Sequence, residues 1–210
     1  MAERIVHVVD DDGPFLMSMS RWLRAHGYAV KTYTSASEFL ARSNADEPGC
    51  VIVDLQMPDI DGLDLQSALM RSHQPVSILF LTGHADTAST VRAMRGGAED
   101  FLEKRAPKEL LLDAVQRALA RNERECAARA RLQEVSMRFD SLTAREREVL
   151  GHVLQGKLNK QIAGDLHIHE RTVKVHRKSI MTKLCVRSVA ALTRLAQEAD
   201  VSIESVPPHP

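Results

Sequence analysis

A doubly wound, five-stranded parallel α/β sheet followed by a small all-α unit is the fold class predicted by this 210-residue sequence. Three observations carry that prediction. Over residues 1–121, short β-branched runs alternate with amphipathic stretches in five βα repeats. The runs are nearly all apolar, as are strands of a parallel sheet covered on both faces. Residues 142–198 hold helical patterns alone.

The elements follow in order. Predicted strands are RIVHVV (4–9), AVKTY (29–33), CVIVD (50–54), SILFL (77–81) and DFLE (100–103). Helices begin near Pro14, Ser35, Leu63, Ala85 and Pro107, the last with proline in a first turn, where its missing N–H costs nothing. After Met57 and Pro58, Asp59 and Asp61 build a turn, and Gly62 supplies conformational freedom before the next helix. Residues 108–135 lack Gly and Pro, which predicts a helix of about 42 Å that runs on as a connector. Glu125 and Arg129 form an ordered i,i+4 pair on it. The apolar heptad Leu112, Leu119, Cys126 fades at Gln133, which favours a solvated connector over a long coiled coil.

Beyond it, Thr143 and Glu146 make a capping box that opens a helix ending near Gly156. A short helix from Asn159 to Leu166, the turn HIH, a longer helix from Glu170 to Leu184 and the helix SVAALTRLAQE complete the second unit. Leu158 and His169 stand where a capping side chain is expected, so Asn159 is read as an alternative N-cap that starts its helix one residue later. The expected division is residues 1–121, a connector at 122–140, a helical domain at 141–200 and a disordered tail at 201–210.

Composition narrows the function. Hydrophobic residues make up 44% of the chain, enough for real cores. No apolar run approaches a membrane span and the N-terminus has no leader pattern, so no membrane partner and a cytoplasmic location are expected. Three scattered cysteines without CxxC spacing read as reduced thiols. The net charge of zero conceals a split. Residues 1–121 hold 13 Lys and Arg against 17 Asp and Glu, a net −4; residues 139–200 hold 11 against 7, a net +4. The basic part suits a polyanion.

The first strand ends in Asp10, Asp11 and Asp12 and the third in Asp54. In the flavodoxin-like order 2-1-3-4-5 those strands are neighbours, and ligands sit beyond their carboxyl ends. Clustered like charges repel by roughly 4 kcal/mol per pair at 4 Å near a surface, and an oxygen-only ligand set suits Mg²⁺. Thr82 and Lys104, at the ends of the fourth and fifth strands, supply a hydroxyl and an ammonium for phosphoryl oxygens.

With VVDDD, VDLQMPDIDG, LTGHA and DFLEK, residues 3–121 resemble the receiver domain of two-component response regulators. The resemblance implies that Asp54 takes a phosphoryl group from a sensor histidine kinase. It implies Mg²⁺ on Asp11, Asp54 and the backbone carbonyl of Gln56, with Asp10 in support. Thr82 and Phe101 would be the switch, and the chain would be no enzyme beyond its own phosphorylation and dephosphorylation. Arg105 stands where the family usually has a proline in a cis bond. A phosphatase with an aspartate nucleophile is the rival reading; it wants a second Asp two residues on, where this chain has Gln56. His7 and His84 read as structural.

Short helix, turn, longer helix is the geometry that enters a major groove. Residues 142–192 resemble the LuxR-type output domain, and the whole chain the FixJ/NarL class of response regulators. Periodicity turns Val173, Ile180 and Leu184, flanked by His176, to the core and Arg171, Lys174, Val175 and Lys178 to the other face. Lys174, Val175 and Lys178 are expected at base edges, with Thr172, Asn159 and Lys160 near phosphates. Double-stranded promoter DNA, RNA polymerase and a second copy of the chain are the expected partners.

Overall fold

The computed structural model describes residues 5–42, 49–72 and 76–199. Arg4 of the first predicted strand and the tail at 201–210 lie outside them. Five parallel strands, β1 (Ile5–Val9), β2 (Ala29–Tyr33), β3 (Gly49–Val53), β4 (Val76–Thr82) and β5 (Asp100–Glu103), stand in the order β2-β1-β3-β4-β5. Every residue of β1 and β3 is buried, as nearly all-apolar runs of a parallel sheet require. Around the sheet lie α1 (Gly13–Ala25), α2 (Ala36–Arg42), α3 (Gly62–Ser72), α4 (Thr87–Arg95) and the first turns of α5 (Lys108–Asp140).

The sheet carries two apolar clusters. One joins Val9, Val53 and Phe80 to Phe39, Leu65 and Ala93. The other joins Val8, Ile52 and Leu81 to Leu16, Leu23, Ala114 and Ala118. His7 is buried, with Nδ1 3.1 Å from the Tyr33 hydroxyl, and the three cysteines form no disulfide. No helix among the described residues is long and apolar enough to cross a membrane.

The chain divides into two compact units, residues 1–127 and 128–210, and the division falls inside α5. That helix runs five residues past the expected end at Val135. Residues 127–134 are exposed, whereas Val135 and Phe139, four apart on one face, are buried with Leu142 in the second unit's own core. Its other helices are α6 (Ala144–Leu154), α7 (Asn159–Asp165), α8 (Glu170–Lys183) and α9 (Val189–Glu198). Val149, Ile162, Val173, Ile180, Leu184 and Leu192 fill the space between them.

Local chemistry explains the starts. Asp12, Ser35, Asp86, Thr143 and Ser188 each accept an N–H from the first turn that follows. The Thr143–Glu146 capping box is present. Asn159 does not cap its helix. Leu158 holds the N-cap position, and its N–H donates to Gln161 Oε1 at 2.8 Å. The long Gln161 side chain reaches back where no hydroxyl is available. His169 caps α8 without a side-chain bond.

Candidate functional site

Register builds the acid site. Val9 pairs with Val53 and Val53 with Phe80, so the next residues, Asp10 and Asp54, emerge side by side at the carboxyl end of the sheet. Their backbones extend the ladder: Asp10 N–H donates to Tyr33 O at 3.1 Å and Asp54 N–H to Val9 O at 3.0 Å. One carboxylate oxygen from each of Asp10, Asp11 and Asp54 lies within 4.8 Å of the others. Asp10 and Asp54 are buried and Asp11 is exposed.

The fifth strand supplies the counter-charge. Lys104 Nζ lies 2.7 Å from Asp10 Oδ2 and 2.7 Å from Asp54 Oδ2. Burial raises the Asp10 carboxyl above its ordinary value, and the Lys104 and Asp12 N–H bonds offset this in part. Burial works against the Lys104 charge, but the Asp10 and Asp54 carboxylates outweigh it and hold the ammonium above its usual range. Two carboxylates on one ammonium, with the exposed Asp11 carboxylate in the same cluster, remain an anionic, all-oxygen donor set, which fits a hard divalent cation.

The remaining predicted residues surround this cluster. Gln56 N–H donates to Asp54 Oδ1 at 3.3 Å, which folds the loop back beside the acid. Thr82 is buried, and its hydroxyl donates to the His84 carbonyl at 3.2 Å and accepts the His84 N–H at 3.3 Å. Phe101 is half-buried and stacks on Phe80 with centroids 5.7 Å apart. Every peptide bond among the described residues is trans, that of Lys104 and Arg105 included.

Two details correct the sequence reading. Gly62 does not supply torsional freedom: its φ is not positive, and a Cβ there would lie 2.4 Å from the Asp54 carbonyl oxygen. The left-handed residue in that turn is Asp59, at φ 66°, a conformation that Asp tolerates. Asp12 stands apart from the acid cluster as the cap of α1.

The second site lies on α8. Arg171, Lys174, Val175 and Lys178 are exposed at helical spacing, while Val173, Ile180 and Leu184 are buried. Val175 is 61% exposed, a large apolar side chain among cations. Lys174 Nζ lies 3.3 Å from Glu170 Oε1. Thr172 and Asn159 are half-buried and Lys160 is exposed. Glu146, whose structural weight the capping-box reading understated, binds Ser179 Oγ at 2.6 Å and Lys183 Nζ at 2.7 Å and so ties α6 to α8. A buried glutamate on one helix face, 37 residues from a lysine, gives no sequence signal of the pair.

Comparison with known proteins identifies the family of each unit. The profile of the response regulator receiver domain matches residues 6–116, and that of the luxR family of bacterial regulatory proteins matches residues 140–196. The response regulator TodT of Pseudomonas putida is 38% identical over 200 residues, 95% of this chain and 88% of its own. The transcriptional regulatory protein FixJ of Rhizobium meliloti is 38% identical over 199 residues, 93% of this chain and 96% of its own. The solved structure of the response regulator StyR matches with a TM-score of 0.87 at 42% identity, covering 94% of this chain and all of that one. Domain order, strand order and identity over nearly the full length converge, and the chain belongs to the two-component response regulators that join a receiver domain to a LuxR-type DNA-binding domain.

Proposed function

We propose that Asp54 is the phosphoacceptor of this transcriptional regulator and that its phosphorylation governs how the second unit binds promoter DNA. The observation that carries the reading is the Lys104 ammonium 2.7 Å from both Asp10 and Asp54, with Asp11 in the same cluster. Asp54 attacks the phosphorus of a phosphohistidine on a sensor kinase; the P–N bond breaks, its electron pair stays on the imidazole, and an aspartyl phosphate forms. Lys104 offsets one developing phosphoryl charge. Asp10, Asp11, Asp54 and the Gln56 carbonyl would hold Mg²⁺, which supplies neutralisation of the other phosphoryl oxygens. Thr82 exchanges its two bonds to His84 for one to the new phosphoryl group, and Phe101 closes into the space left behind.

In the second unit, Lys174, Val175 and Lys178 face base edges, with Arg171 on the same face, while Thr172, Asn159 and Lys160 meet phosphates. Two copies on adjacent half-sites raise effective affinity by avidity, and RNA polymerase is the next partner in such a scheme. The compartment is the cytoplasm, where kinase and promoter are both accessible. Gln56 in place of a second acid leaves Asp54 without a general acid for efficient turnover, so the aspartyl phosphate persists.

The test is incubation with acetyl phosphate and Mg²⁺. A hydroxylamine-labile acyl phosphate forms on the native chain and is absent from Asp54→Asn. Rapid multiple turnover would make the chain an enzyme instead, and no labelling would end the proposal.

A further inference from the structure

Arg105 follows Lys104 with a trans peptide bond, and Lys104 reaches both buried acids. Its backbone is fixed by the sheet: Lys104 N–H donates to Thr82 O at 2.8 Å, and Ala106 N–H closes the following turn on Glu103 O at 2.9 Å. Four methylenes separate that backbone from the ammonium, and strand pairing does not orient them. Carboxylates hold the ammonium on one side. On another, Nζ lies 4.4 Å from the centroid of the Phe15 ring, inside the range of about 6 Å over which a ring face attracts a cation.

The ring is itself held in place. Phe15 N–H donates to Asp12 Oδ1 at 3.0 Å, the bond that caps α1, and the side chain packs against the cluster containing Leu16, Leu81 and Leu111. The third acid of the Asp10–Asp12 run therefore sets the start of α1, and α1 sets the ring.

We propose that Phe15 is a positioning residue for Lys104, its ring holding the ammonium beside Asp54 before and during phosphorylation. This rests on the reading of Asp54 as the phosphoacceptor. The physical reason for an aromatic anchor lies in what the carboxylates must do. When a second cation enters, Asp10 and Asp54 turn oxygens toward it and their bonds to Lys104 weaken. The π face has no such competing duty, so it keeps the ammonium in place while its other partners are shared. Leucine at position 15 fills the same apolar space without a ring face and, once the carboxylates are shared with the second cation, leaves the ammonium unrestrained on that side.

Two measurements test this on the full-length protein. With Mg²⁺ present, ¹⁵N relaxation of the Lys104 ammonium shows a high order parameter in the native chain, a low one in Phe15→Leu and a restored one in Phe15→Tyr. The rate of Asp54 labelling by acetyl phosphate with Mg²⁺ falls about fivefold in Phe15→Leu, as loss of a partly exposed cation–π contact predicts, and recovers in Phe15→Tyr. On a Lys104→Met background Phe15→Leu produces no further fall, because the ring acts through the lysine. An unchanged ammonium order parameter in Phe15→Leu overturns the proposal. So does an equal fall on the Lys104→Met background, which would make the ring a packing residue. A native chain that takes no label refutes the Asp54 reading instead, and the ammonium measurement still decides the role of the ring.

Discussion

Gly62 shows how closely the loop after Asp54 is built. A Cβ there would lie 2.4 Å from the Asp54 carbonyl oxygen and 3.0 Å from Phe80 Cε1. Gly62→Ala is expected to cost about 1–3 kcal/mol, the usual penalty of overpacking, and to slow Asp54 labelling. Urea unfolding and the labelling rate check it; an unchanged midpoint would show that the loop has slack. At the other end of the chain, Lys183 and Ser179, with the Thr143 N–H, hold the Glu146 carboxyl far below its ordinary 4.5, at about 2. A folded value below the unfolded one means stability fully present above about 4.5 and lost as pH falls from there through about 2. Thermal melting of the second unit should therefore weaken between those limits, and Glu146→Gln should flatten that dependence and cost on the order of 1–3 kcal/mol at neutral pH. A melting curve with the same pH profile in both proteins would remove Glu146 from the account. Asp54, Asp10 and Lys104 were legible in the sequence because charged residues at strand tips have few structural explanations. Phe15 was not, since an aromatic residue in the first turn of an amphipathic helix reads as core, and Gly62 was legible as a necessity but not as to its cause, because torsion and space demand the same residue.

The elements were the more readable level, and the reasons differ between strand and helix. Apolar runs too short for helices and bounded by turn residues leave the parallel sheet as the remaining arrangement, and β1 and β3 are buried throughout. Helix ends were less readable: the period of α5 continues past Val135 with Phe139 on the same face, and Gln161 rather than Asn159 completes the start of α7. On α8 the period separates the faces cleanly, with Val173 and Ile180 buried and Lys174, Val175 and Lys178 exposed. Lys174→Ala is expected to relax preference at one base position by about 1–3 kcal/mol. Binding to a panel of single-base operator variants measures it; an unchanged preference would mean that this face of α8 does not meet the bases. Because Lys174 also pairs with Glu170, Glu170→Ala serves as a control that frees the lysine without removing it.

At the scale of the molecule, the sheet unit and the helical unit each hold an apolar core of their own. Two melting transitions are expected in calorimetry. Mg²⁺ should raise the sheet unit's transition and leave the helical unit's in place, because a ligand stabilises the fold that holds it; a common shift of both would show a single cooperative body. The strand order has a further effect on how the chain comes into being. Ile5 pairs with Ala29 and also with Gly49, β3 pairs with β4, and β4 with β5 as far as Glu103. No hairpin is available to start such a sheet, and each pairing must first close a long loop. During synthesis the nascent acidic half must wait, incomplete, until β5 and the first turns of α5 have left the ribosome. In the helical half each helix can form as it emerges, because its backbone bonds are local, but α6 must wait for Lys183, 37 residues on, before Glu146 can fasten it to α8.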